Sequence, residues 1–247
     1  MDDDLRAAAE TAVHQCLGLG AGESCAVVTD DERRSIGEAL SAVAAETTDD
    51  AVLLCYPPGE QHGAEPPEPV ASALRAADTF LAPTTKSLSH TRARSRATEA
   101  GARGATLPGI TESVFTTGLD ADYEAIRAAC ADLHEQLGGA ETVRVTTPLG
   151  TDLTVHPGDH EWREDTGMVD EPGAFSNLPA GEVFVSPETA RGTYVVDGTM
   201  MPHGRLEEPI EFHVADGYVT DISDAAVREQ VEDAAAEVGE AAYNLAE

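Results

Sequence analysis

The chain has 247 residues and a formal net charge of -31, from 46 acidic against 15 basic side chains, with Lys86 the only lysine. That length can bury a core in one large domain or two modest ones without staples, and 41 % hydrophobic residues set the chain apart from acidic disordered proteins. The charge excludes phosphate-rich partners, nucleic acid above all; an acidic, nearly lysine-free surface fits high salt, where a Debye length of about 3 Å at 1 M screens self-repulsion.

Residues 5 to 17 carry helical spacing through Leu5, Ala9, Ala12, Val13 and Leu17, ended by the Gly18 to Gly22 stretch. Ser24 to Thr29 reads as a short apolar strand, and Ser35 to Glu46 as a helix. Val52 to Tyr56 is a second strand, closed by Pro57-Pro58-Gly59 and a loop reaching Pro69. Val70 to Ala77 (helix), Thr79 to Ala82 (strand), Thr91 to Ala102 (basic helix), Ala105 to Pro108 (strand) and Tyr123 to Leu137 (long helix) follow. Strands alternating with helices at this spacing predict an α/β domain with a parallel sheet over residues 1–139.

After Gly139 the rhythm changes to alternation. Thr142 to Thr147 and Asp152 to His156, joined by Pro148-Leu149-Gly150, read as a hairpin. Further strands are expected at Val183 to Ser186, Gly192 to Asp197, Ile210 to Val214 and Tyr218 to Ile222, the last two joined by an Asp216-Gly217 turn, with a terminal helix from Ala225 to Ala246. Residues 140–247 therefore predict a mainly antiparallel, β-rich α+β domain.

Cys16, Cys25, Cys55 and Cys130 show neither CxxC spacing nor a dense framework, which predicts reduced, buried thiols in a cytoplasmic protein. The N-terminus lacks a basic region followed by an apolar one, and no run of about 18 apolar residues exists to span a bilayer. No membrane partner is expected.

Several motifs have plainer roles beside the functional ones. Gly18-x-Gly20-x-Gly22 precedes a strand instead of following one, so it reads as a helix end and not a pyrophosphate cradle. At Thr84 to Thr91 a strand-to-helix junction gathers hydroxyls, Lys86 and His90. Ligands of open parallel sheets sit at such carboxyl ends, so Lys86 and His90 are candidates to face a substrate carboxylate or a domain interface; the plainer role is capping by Ser89 or Thr91, with His90 packed at the helix start. Arg92, Arg94 and Arg96 fan around a helix and are expected to pair with the chain's own carboxylates. His156 and His160 flank a Pro-Gly turn, and His134-Glu135 lacks the second histidine of a zinc-binding HExxH. No GxSxG appears.

The run Asn177-Leu178-Pro179-Ala180-Gly181-Glu182-Val183-Phe184 places a carboxylate after a Pro/Gly turn at the start of an apolar strand. Charge on a buried or half-buried strand costs several kcal/mol unless it is paired or binds a cation, so Glu182 is expected to have a chemical role. This run resembles the aminopeptidase T-type metallopeptidases, the thermophilic metalloprotease family. The likeness extends to Ser89-His90-Thr91-Arg92-Ala93-Arg94, Leu107-Pro108-Gly109-Ile110-Thr111, Gly150-Thr151-Asp152-Leu153-Thr154 and Val196-Asp197-Gly198-Thr199.

The resemblance implies a two-domain, dimeric hydrolase that removes N-terminal amino acids from peptides, using a dinuclear zinc, cobalt or manganese site to activate water. By motif match Glu182 corresponds to the first glutamate ligand and Glu247 is similar to the second. Family members continue for several tens of residues that supply histidines, a tyrosine and an aspartate. A truncated chain, ligands from another subunit, and a non-peptidase binding or scaffold relative are the three readings of that difference. Ring-cleaving iron dioxygenases share the same motif region and supply a further alternative.

Overall fold

The computed structural model describes residues 2–246. In chain order the elements are α1 (Asp3–Glu10), continued by a wider π-type turn over Thr11–Cys16, β1 (Cys25–Asp30), α2 (Arg34–Thr47), β2 (Ala51–Tyr56), α3 (Glu68–Ala76), β3 (Thr79–Thr84), α4 (Arg92–Glu99) and β4 (Arg103–Pro108). Then come α5 (Glu112–Gly118), α6 (Tyr123–Leu137), β5 (Val143–Thr146), β6 (Asp152–His156), β7 (Arg163–Asp165), β8 (Phe175–Asn177), β9 (Glu182–Phe184) and β10 (Thr189–Val196). The last are β11 (Thr199–Met200), β12 (Gly204–Arg205), β13 (Ile210–Ala215), β14 (Tyr218–Ile222) and α7 (Ala225–Val238), followed by a 3-10 turn at Gly239–Tyr243.

The chain forms two compact units, Met1–Ala131 with Asp165–Glu182, and Asp132–Glu164 with Val183–Glu247. The fold class expected from the sequence is present, an α/β unit with a parallel sheet and a β-rich unit with an antiparallel one. Residues 165–182, which the sequence pattern groups with the second domain, join the first unit because β8 pairs in parallel with β4, Gly104 opposite Phe175 and Thr106 opposite Asn177.

In the first unit the strand order is β2-β1-β3-β4-β8. All six residues of β1 and of β3 are buried, as the central strands of a sheet covered on both faces must be. Successive side chains serve opposite faces: Cys25 and Val27 join Ala9, Leu40, Phe115 and Tyr123 in one core, while Ala26 and Val28 join Leu74, Phe80 and Ala97 in another. A Cβ on Gly104 would lie 2.2 Å from the Phe80 carbonyl oxygen and 2.6 Å from its ring, so the β3–β4 contact depends on glycine.

In the second unit the order is β14-β13-β10-β6-β5, with antiparallel neighbours. β13 alternates strictly, Ile210, Phe212 and Val214 inward against exposed Glu211, His213 and Ala215, and α7 adds Val227 to Ile210, Phe212 and Ile222. Asp216 and Gly217 both take positive φ, 52° and 83°, the conformation that suits a two-residue hairpin turn.

Three expectations are corrected. The terminal helix ends at Val238 instead of Ala246, because Gly239 adopts φ 73° and leaves the helical region. Cys55 is exposed, unlike the other three cysteines, although no disulfide joins any of the four. Of the three arginines expected to pair with carboxylates, Arg92 meets Glu65, whereas Arg94 donates to the Ser89 carbonyl at 2.8 Å and stacks 4.4 Å over the Phe175 ring.

Candidate functional site

Ligands of open parallel sheets bind beyond the carboxyl ends of the strands, at the point where strand order reverses. Here that point lies between β1 and β3. It is closed by a latch: the buried Asp30 carboxylate, at the end of β1, accepts from the Glu32 and Arg33 backbone N–H groups, from Thr85 N at 2.5 Å and from Thr85 Oγ1 at 2.9 Å. Multiple hydrogen bonds to a carboxylate offset its desolvation. The latch is therefore structural and positions the junction from Thr84 to Thr91.

Along the same edge, beyond β4 and β8, lies a hydroxyl and amide cluster. Ser89, from the junction before α4, and Thr106, on β4, are buried, and their hydroxyl oxygens are 2.8 Å apart. Both donate to Oδ1 of Asn177, at 2.8 and 2.6 Å, and Ser87 Oγ donates to Ser89 Oγ at 2.9 Å. Asn177 ends β8 and is itself exposed. Three segments distant in sequence thus fix one exposed amide at the carboxyl edge, a set of hydrogen-bonding groups suited to orienting a polar small ligand and lacking a nucleophile–base pair. Ser89 and Asn177 stand within motif runs of the sequence; Thr106 belongs to none, and only its pairing with β8 reveals it.

The residues picked out by the sequence lie in different settings. Thr91 caps α4, its side chain accepting from Arg94 N at 3.2 Å, in keeping with the plainer role of this junction. His90 is exposed and not packed at the helix start. Lys86 is half-buried, and its carbonyl accepts from Thr84 Oγ1 at 2.7 Å. Glu182 begins the three-residue strand β9, and the residue is exposed, so the expected cost of a half-buried charge does not arise. The Glu182 carbonyl accepts from Cys130 Sγ at 3.7 Å. Glu247 lies outside the described residues.

The histidines are tied to separate partners: His160 Nδ1 to the Ser186 carbonyl at 2.6 Å, His156 Nδ1 to Thr142 Oγ1 at 3.2 Å, and His203 Nε2 to Asp224 Oδ1 at 2.9 Å. Among the described residues no three His, Cys, Asp or Glu side chains come together as a metal ion would require. The described residues thus do not by themselves fit a complete metal centre, for which about three protein ligands are needed. No helix among them is long and apolar enough to cross a membrane.

A parallel α/β unit, an antiparallel β-rich unit and a polar cluster at the sheet's carboxyl edge define the class. Within it, the chain matches the model of NicX, 2,5-dihydroxypyridine 5,6-dioxygenase, over residues 4–245 and belongs to that family. Its fold is similar to that of 2,5-dihydroxypyridine dioxygenase from Pseudomonas putida, with a TM-score of 0.73 and 20% identity over 95% of this chain and 72% of that one. It is also similar to AmpT from Thermus thermophilus, with a TM-score of 0.66 and 20% identity over 98% of this chain and 76% of the other. At such identity these likenesses concern the fold, and the resemblance to aminopeptidase T holds at that level. No curated protein matches the sequence.

Proposed function

We propose that this chain serves ring-cleaving dioxygenase chemistry on a hydroxylated nitrogen heterocycle of the dihydroxypyridine class. The observation that carries this reading is the family match over residues 4–245. It takes precedence over peptide hydrolysis, which has as support the fold likeness to AmpT and the motif run ending in Glu182. In either case Glu182 is the proposed carboxylate ligand of a divalent metal, and Asn177, with Ser89 and Thr106 behind it, is a group able to orient a polar substrate. Because the described residues do not assemble a full ligand set, no chemical step is assigned to the metal.

The test loads the purified protein with Fe(II) under anaerobic conditions, then adds air and 2,5-dihydroxypyridine, following oxygen uptake and loss of substrate absorbance. A parallel arm uses Zn, Co or Mn with leucine p-nitroanilide. Iron-dependent oxygen uptake is expected. Hydrolysis in the second arm without oxygen uptake in the first would overturn the dioxygenase reading in favour of the peptidase, and turnover in neither arm would overturn both. Glu182→Gln is expected to lower bound metal, measured by elemental analysis, with an unchanged circular dichroism spectrum; undiminished metal content removes Glu182 from the site.

A further inference from the structure

The hydroxyls behind Asn177 decide which end of its amide faces outward. Thr106 Oγ1 lies 2.6 Å and Ser89 Oγ 2.8 Å from the inner amide atom. O–H···O bonds span about 2.5–3.0 Å and N–H···O bonds about 2.7–3.2 Å, so the shorter contact identifies that atom as the carbonyl oxygen Oδ1. Ser87 Oγ donates to Ser89 Oγ at 2.9 Å, which turns the Ser89 proton toward Asn177 and Thr106. Reversing the amide would set N–H donors against the hydroxyl protons of Ser89 and Thr106, two residues that are only 3% and 0% exposed.

The frame around the amide is stiff. Thr106 and Asn177 are direct partners in the β4–β8 ladder, and Arg94 of α4 donates to the Ser89 carbonyl at 2.8 Å while stacking over Phe175, which lies on the same face of β8 as Asn177. Among the described residues, both hydrogen bonds of the Asn177 side chain pass through Oδ1. A carbonyl oxygen has two lone pairs and both are engaged here, so this exposed side chain offers outward the pair of N–H donors on Nδ2.

We propose that Asn177 donates from Nδ2 to an oxygen of the substrate, a deprotonated ring hydroxyl or the carbonyl of the pyridone tautomer, and that Thr106 and Ser89 are positioning residues that set the sense of this contact. The sense of the amide stands on the geometry of the cluster; the identity of the ligand rests on the dioxygenase reading. A group that can only donate, such as an ammonium, meets no acceptor here. The contact is thereby a determinant of specificity, because a site built around one hydrogen bond rejects analogues that leave its polar group unpaired.

The experiment titrates the Fe(II)-loaded protein, without oxygen so that nothing turns over, with 2,5-dihydroxypyridine and with 2,5-diaminopyridine, in which amino groups replace both oxygens. Calorimetry gives the two affinities, and their ratio compared between variants isolates Asn177 from the metal. Wild type is expected to favour the dihydroxy compound. Asn177→Asp keeps an inner oxygen for the two hydroxyls but exchanges the outer donors for an acceptor; it is expected to weaken dihydroxypyridine binding about tenfold to a hundredfold and to narrow or reverse the ratio, with an unchanged circular dichroism spectrum. Thr106→Val is expected to narrow the ratio several-fold by freeing the amide to turn, and Thr106→Ser to restore it. A wild type that favours the diamine, an Asn177→Asp protein with the wild-type ratio, or a Thr106→Val protein that discriminates as wild type does would each overturn the proposal and leave the dioxygenase reading standing. A wild type that binds neither compound would overturn both.

Discussion

Among single residues, the pair of Arg103 and Glu23 has the clearest energetic consequence. Arg103 is buried at the start of β4 and its guanidinium grips both carboxylate oxygens of Glu23, at 2.6 and 2.8 Å, while donating to the carbonyls of Leu17 and Gly18. Glu23 also accepts from the backbone N–H of Gly20. The Arg103 hydrogen bonds, helped by Gly20, hold the Glu23 carboxyl below the usual carboxylate range. Removing one member of a largely buried pair leaves the other charge uncompensated, a cost of about 3–5 kcal/mol when burial is complete. Glu23 keeps 31% of its side chain exposed, so solvent screening lowers the expected cost of Glu23→Gln to about 1–3 kcal/mol. A carboxyl whose pKa is depressed on folding stabilises the native state above its unfolded pKa of about 4.3 and loses that contribution as pH falls through the folded value. In urea unfolding, wild type is expected to exceed Glu23→Gln in stability at pH 7, with the gap shrinking below about pH 4. A gap that is constant with pH would assign the effect to packing.

Among elements, β4 is where packing decides most. Gly104 lets this strand lie against Phe80 of β3, and a methyl group there would overlap backbone as well as ring; overpacking of this kind costs about 1–3 kcal/mol, and more where backbone must move. Gly104→Ala is expected to lower the thermal midpoint by several degrees, and an unchanged midpoint would mean that β3 and β4 shift at little cost. The same strand shows how far the sequence could be read. Long elements with a clear period were legible: α6 spans the expected Tyr123 to Leu137, and β6 and β14 match their alternating runs. The three-residue strands β7 and β8 carry no period over so short a length, and α5, with two threonines and a terminal glycine in seven residues, lacks the amphipathic spacing of a longer helix. Since β8 went unseen, so did its pairing with β4, and with it the meeting of Thr106, Ser89 and Asn177. Residue types announced polar chemistry near Ser89 and Asn177, but their adjacency is a product of tertiary strand order.

For the whole molecule, charge dominates. Forty-six acidic side chains against 15 basic ones leave few local cancellations: Arg6 with Glu10 and Glu46, Arg34 with Asp31, Arg127 with Asp170 and Arg144 with Asp152 are pairs in which both side chains are at least 38% exposed. Exposed pairs of this kind contribute about 0–1 kcal/mol each and weaken as salt rises. Repulsion among the remaining carboxylates acts over longer distances and is stronger in the folded chain than in the expanded one. Salt therefore weakens both the attraction and the repulsion, and net charge decides between them. At about 0.01 M salt the Debye length is about 30 Å, so carboxylates across a whole unit repel one another; at 1 M it is about 3 Å and only direct neighbours interact. The loss of long-range repulsion exceeds the loss of a few surface pairs, so the melting temperature is expected to rise from dilute buffer to molar KCl, most steeply at the low-salt end where screening changes fastest. NaCl should act like KCl if the effect is screening, whereas a preference for one cation would point to specific ion binding by carboxylates. A melting temperature that stays level or falls over this range would mean that the ion pairs outweigh the repulsion, and that the acidic surface has a role other than tolerance of salt.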